Sequence, residues 1–213
     1  MNKYYSQHGQ DYWLEREDSI STNSGYFVDV GASHRKNGYM SNTLFFEKHY
    51  KWKGILIEPN EKISKPLESR EAMLVQCAVS NKQGFIKFKK GDAGVNSKVS
   101  DGGESIQCQT ITSILEENKA PHIIDFLSMD IEGHEPQALE GINFNRYKFK
   151  NVIIEENSNA KSIVGTLQKR GYTFVDNYRG DLYFTLFQPT HKPSSFMNEW
   201  NKLTNRARCT SYD

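Results

Sequence analysis

Acids stand where the short apolar runs of this chain stop. Asp29 lies near the end of "YFVDVGA", Glu58 ends "GILIEP", Asp130 ends "IIDFLSMD", and Glu155 and Glu156 fall in "NVIIEEN". A carboxylate at the end of a buried strand can accept hydrogen bonds from ribose hydroxyls, take a proton as a general base, or ligate an oxygen-preferring cation. Glu58 follows Gly31 by 27 residues, a spacing suited to the ribose role. Three carboxylates meeting at one sheet edge repel one another, so Asp130, Glu155 and Glu156 are expected to share a divalent cation such as Mg²⁺ or Mn²⁺. Neighbours in a strand point to opposite faces, so both glutamates can join only if the strand has ended there; otherwise one faces out into a surface pair. His134, four residues after Asp130 in "DIEGHEP", is the candidate general base because its pKa lies near neutrality. The plainer reading is a histidine that caps the helix opened by Pro136.

These acids need elements to carry them. The runs at 26–30, 54–59, 73–79, 123–130 and 151–157 are continuous and apolar, as in central parallel strands buried on both faces. Helical patterns alternate with them. Ser41 or Asn42 caps "TLFFEKHY", "EKISKPLESR" is weakened by Pro66, Thr110 or Thr112 opens "SILEENK", and "AKSIVGTLQKRG" stops at Gly171. This alternation predicts an α/β, doubly wound fold. The last two strands, "YTFVDNY" and "LYFTLFQ", flank Arg-Gly-Asp and predict an antiparallel hairpin. Residues 80–109 break the alternation with two short strands around a Gly-, Asp- and Ser-rich stretch at 91–104. That stretch is either a solvated excursion or a substrate lid.

The loop after the first strand narrows the cofactor. A pyrophosphate needs several glycines for close backbone approach, whereas Gly31 is followed by Ala-Ser-His-Arg-Lys-Asn. The fitting cofactor has no phosphate: a sulfonium with an amino acid tail, held around Asp29, Gly31, Ala32 and Ser33. Ala78 and Val79, after the third strand, would flank an adenine. His34 and Arg35 are expected to face solvent. A glycine needed only for a tight turn is the bland alternative.

The 213 residues suffice for one domain, and a net charge of +1 gives no footprint for nucleic acid. A mean hydropathy of −0.71 and the lack of a long apolar run argue against a membrane span. Cys77, Cys108 and Cys209 form no C-x-x-C pair and read as reduced thiols of a cytoplasmic protein.

The sequence resembles the FkbM-type S-adenosylmethionine-dependent methyltransferases. The resemblance runs through "SQHGQD" (6–11), "GYFVDVGA" (25–32), "SNT" (41–43), "WKGILIEPN" (52–60), "CAVS" (77–80), "FLSMDIEGHE" (126–135) and "VIIEEN" (152–157). It implies a class I, Rossmann-like fold with a seven-stranded, mostly parallel sheet over residues 1–187, and methylation of a hydroxyl on a sugar or glycan acceptor. It adds Asn42, Thr43, Pro59 and Asp130 to the cofactor site, counts Asp130 with the catalytic groups, and makes Glu132 a competitor of His134 for the proton transfer or else a holder of the methionine tail or the acceptor. Residues 188–213 read as a polar C-terminal extension. Two alternatives stand beside this reading: a nicotinamide-dependent oxidoreductase, and a methyltransferase-fold binding module without catalysis.

Overall fold

The computed structural model describes residues 3–33, 39–91 and 97–196. The main sheet has seven strands. Five are parallel: β1 (Tyr26–Val30), β2 (Lys53–Ile57), β3 (Met73–Val75), β8 (Ile123–Met129) and β9 (Lys148–Glu155). β11 (Asp181–Thr185) runs antiparallel to both β9 and β10 (Thr173–Tyr178). The spatial order is β3-β2-β1-β8-β9-β11-β10.

Side chains alternate across this sheet and build a core on each face. Val28, Val30, Ile55, Ile57, Val152 and Ile154 pack on one side. They meet helices α4 (Ile111–Glu117), α5 (Glu135–Glu140) and α6 (Ala160–Gln168) through residues such as Ile114, Leu139 and Leu167. Phe27, Leu56, Phe126 and Ile153 face the other side. There they meet α1 (Gln10–Leu14), α2 (Leu44–Tyr50) and α3 (Glu61–Leu67) through Trp13, Phe46 and Leu67. Among the described residues no helix is long and apolar enough to cross a membrane.

Several expected boundaries hold. Thr110 caps α4, its hydroxyl accepting from the Ser113 N–H. Gly171 (φ 89°) follows α6, and Tyr172 N–H returns to the Leu167 carbonyl. Arg179 and Gly180, both at positive φ, turn β10 into β11. α2 differs: Thr43 is its N-cap residue, and the Ser41 hydroxyl accepts from Leu44 N–H.

The third expected strand is a correction. The run at 73–79 is two strands in two sheets: β3 ends at Val75, and β4 (Ala78–Val79) belongs to a second sheet. Val75, Cys77 and Val79 all reach the same core, so hydrophobicity runs on through the break. The second sheet is completed by β5 (Gly84–Lys89), β6 (Lys98–Val99) and β7 (Glu104–Gln109). The middle of the 91–104 stretch, residues 92–96, lies outside the described residues.

Past β11 the chain docks back on the domain. Thr190 and His191 N–H donate to the Glu17 carboxylate, and the Trp13 indole donates to the His191 carbonyl. Cys77 and Cys108 are buried free thiols; Cys209 lies outside the described residues.

Candidate active site

The carboxyl ends of the parallel strands open on two cavities that share Gly31, Glu58, Ser97 and Asp130. One is a narrow cleft of about 40 Å³ between the two sheets, walled by Pro59, Ala78, Val79, Phe88 and His134. The other is a polar chamber of about 310 Å³. Its acids are Asp29, Glu58, Asp130, Glu132, Glu155 and Asp181, and no Lys or Arg is among its described lining residues.

Glu58 stands where the cleft meets the chamber. It is 6% exposed, and burial pushes its carboxyl up to about 7, opposed by the Asn60 N–H donated at 2.6 Å. A carboxyl raised on folding stabilises the fold while protonated. That contribution is complete below about pH 4.5 and is lost as pH rises through about 7. Ligand-free Glu58→Gln should therefore flatten this decline by about 2–4 kcal/mol. Urea unfolding at pH 4.5 and 7.5 reads it directly; parallel curves for variant and parent would reject a desolvated Glu58.

Asp29 lies at the back of the chamber, where burial raises its pKa. Its carboxylate accepts from the Thr43 hydroxyl at 2.7 Å and from Ser128, while Asn42 Nδ2 donates to Ser128 Oγ at 3.0 Å. Thr43 is fully buried and holds Asp29 instead of lining the chamber. Behind it Arg70 donates to Thr43 and Ser41, and through Nε to both oxygens of Glu47 at 3.0 Å.

The first loop needs correction. Gly31 and Ala32 N–H both donate to the Ile57 carbonyl, and Ala32 is a core residue, so neither amide is spare for a ligand. Gly31 sits at φ 79°, and a Cβ there would lie 1.7 Å from the Asp130 carbonyl oxygen. The fold requires this glycine with no ligand present, and Gly31 also lines both cavities. Ser33 and Asn42 do line the chamber; His34 and Arg35 lie outside the described residues.

The "DIEGHE" turn is wrapped around a carboxylate that sequence reasoning assigned no role. Glu135 is fully buried, and its Oε1 accepts from Ile131 N–H, Gly133 N–H and Asn157 Nδ2 at 3.0–3.1 Å. Glu132 and Gly133, at φ 56° and 103°, bend the chain around it, and Asp130 and Glu132 reach the chamber.

Two assignments move. Glu156 faces away, accepting from Asn177 Nδ2 at 2.6 Å. Asp181 takes its place: β11 runs backwards, so its first residue pairs with Glu155 at the same edge. Asp130 opens on both cavities, and its pKa is raised well above the ordinary value by burial and by a hydrogen bond with Glu155. Burial and Glu155 together push Asp181 up to about 7, although Gln10 Nε2 donates to it at 2.7 Å. Among the described residues no three His, Cys, Asp or Glu side chains are placed to hold a metal ion. This donor set does not fit the expected cation.

His134 is the second. It occupies the N-cap position of α5 without a side-chain capping bond, lines the narrow cleft, and its Nε2 lies 3.1 Å from Ser80 Oγ. Burial holds its imidazole below the usual value. It is beside Ala78 and Val79, away from the chamber where the acids gather.

Among curated proteins none matches this chain. Among solved structures the chain is similar to precorrin-6y C5,15-methyltransferase from Geobacter metallireducens, at 12% identity and a TM-score of 0.45, with 84% of this chain and 85% of that one covered. The profile of the methyltransferase FkbM domain matches residues 29–174, from the Asp29 of the first strand into the hairpin. That span takes in Glu58, Ala78, Val79 and the whole "DIEGHE" turn, and by it the chain belongs to the FkbM methyltransferase domain family.

Proposed function

We propose that this protein is an S-adenosylmethionine-dependent O-methyltransferase of class I architecture, acting on a hydroxyl of a sugar, glycan or glycosylated small molecule. The observation that carries the reading is the charge of the chamber: six carboxyl groups and no described Lys or Arg. Carboxyls whose protonation burial favours ionise opposite a sulfonium and an ammonium and so suit that cofactor, while such a lining offers a pyrophosphate no cation, which counts against the nicotinamide alternative. The strand order supports class I, in which the last strand inserts antiparallel beside the fifth.

S-adenosylmethionine, when bound, supplies the methyl group. Ala78, Val79 and Phe88 offer apolar surface to a flat ring in the cleft. Glu58 accepts hydrogen bonds from ribose hydroxyls. Asp29, held by Thr43 and Ser128, and Asp130 face the positively charged tail. Gln7, His8 and Gln10 give the far end of the chamber the hydrogen-bonding character that a polyhydroxyl acceptor needs.

Calorimetry with S-adenosylhomocysteine tests the cofactor. Wild type should bind it, and Glu58→Ala should weaken binding by about 1.5–3 kcal/mol, the range for hydrogen bonds to a charged group. Binding of NAD without binding of S-adenosylhomocysteine is the result that would reject the reading. Incubation with glycosides and S-adenosylmethionine, followed by mass spectrometry for one added methyl, tests the acceptor class.

A further inference from the structure

The turn after β8 brings Asp130 and Glu132 to the chamber, and its shape is set by a side chain that lines neither cavity. Glu135 is fully buried and is the first residue of α5. A carboxylate at a helix start ordinarily faces the free amides of its own first turn. This one bonds backwards. Its Oε1 accepts from Ile131 N–H and Gly133 N–H, the amides of the two peptide groups that directly follow Asp130 and Glu132. The same oxygen accepts from Asn157 Nδ2 at 3.0 Å, and Asn157 Nδ2 also donates to Glu155 Oε2 at 2.8 Å. Glu155 is in turn hydrogen-bonded with Asp130. From the loop after β9, Asn159 Nδ2 closes the turn by donating to the Gly133 carbonyl at 3.2 Å. One buried oxygen is thus the common anchor of three chamber acids.

We infer that Glu135 is a positioning residue of the proposed methyl transfer, holding Asp130, Glu132 and Glu155 in one arrangement through its Oε1 and Asn157. This rests on the O-methyltransferase reading above. The arrangement needs holding for two reasons. Glu132 sits at φ 56°, a backbone region that residues with a side chain seldom adopt. Carboxylates crowded at one edge repel one another when ionised, and no described Lys or Arg lines the chamber to draw them together. Their spacing has to come from the fixed peptide groups and from Asn157. The second Glu135 oxygen, Oε2, is buried and has no hydrogen-bond partner. Glutamine can therefore take this place: its carbonyl oxygen falls among the three donors, and its amide nitrogen replaces an atom that makes no bond. Alanine removes the anchor altogether.

The test uses the full chain as wild type, Glu135→Gln, Glu135→Ala and Asn157→Ala. Calorimetry with S-adenosylhomocysteine gives the affinity and the number of intact sites in each. Affinity should change little, because Glu58 and Asp29 belong to the β2 and β1 side of the edge, which Glu135 does not touch. Turnover per intact site is then read on methyl glycosides of common hexoses and 6-deoxyhexoses with S-adenosylmethionine labelled in its methyl group. Glu135→Ala should lose on the order of 10² in kcat, the cost of a misplacement of about 1 Å. Glu135→Gln should keep most of the wild-type kcat, a rescue that rests on position and not on charge. Asn157→Ala keeps the turn but releases Glu155, and its kcat should fall between the two. Should Glu135→Ala not fold, Asn157→Ala decides, since Asn157 is only part-buried. Wild-type kcat in either alanine variant, or a Glu135→Gln variant as slow as Glu135→Ala, overturns the inference and leaves the methyltransferase reading intact. Wild type that binds no S-adenosylhomocysteine, or binds it and methylates none of the glycosides, overturns both.

Discussion

Replacing Arg70 with methionine should cost about 3–5 kcal/mol, because the substitution strands a buried charge. The Arg70 side chain is 2% exposed and the Glu47 side chain 6%, and their contact is the most deeply buried ion pair among the described residues. Among the described residues, Glu47 would keep only the Glu71 N–H, at 3.2 Å. Glu47→Met should cost a similar amount, leaving the guanidinium with the hydroxyls of Ser41 and Thr43. The double variant should cost well under the sum, since neither charge is then left alone. Denaturant unfolding of the four proteins gives the coupling, and additive losses would sink the argument. A second readout follows from position. Arg70 lowers the Asp29 pKa, so its removal raises that pKa further and should weaken cofactor affinity near neutral pH.

Gly31→Ala should destabilise the fold by about 3–5 kcal/mol even with no ligand present. The left-handed backbone contributes about 1–2 kcal/mol of this. The rest comes from moving backbone: the new Cβ would overlap the Asp130 carbonyl oxygen, and Asp130 is itself tied to β1 by its N–H to the Val30 carbonyl. A glycine kept only to admit a ligand would behave differently, losing cofactor affinity at unchanged stability. Thermal unfolding of the ligand-free variant separates the two.

What could be read from the chain followed local rules. Glu58 was visible because a continuous apolar run ends there, and the hairpin because Arg-Gly-Asp sits between two β-rich runs. Asp181 was not, since its place at the carboxyl edge depends on β11 running backwards beside β9, a fact of tertiary pairing. Arg70 and Glu47 are 23 residues apart with nothing between them to announce the pair. His134 and Glu156 misled for a common reason. Proximity in sequence to a strand-end acid says little about direction once a strand gives way to a turn: Glu156 meets Asn177, and His134 meets Ser80 in the cleft instead of lining the chamber.

The chain leaves the main sheet after Val75, and within the second sheet the excursion from Val79 to Gln109 begins and ends at register partners in adjacent parallel strands. Departure and return are thus about 5 Å apart, one interstrand spacing. The entropy of closing it grows only slowly with the length between, by about 0.6 kcal/mol for each doubling. The excursion is therefore a cassette. Evolution can lengthen, shorten or exchange it without disturbing the registers of the main sheet, while Phe88, Ser97 and Val99 on it form one side of the narrow cleft. The strand-end acids thus stand on the main sheet, and this wall of the cleft stands on the other.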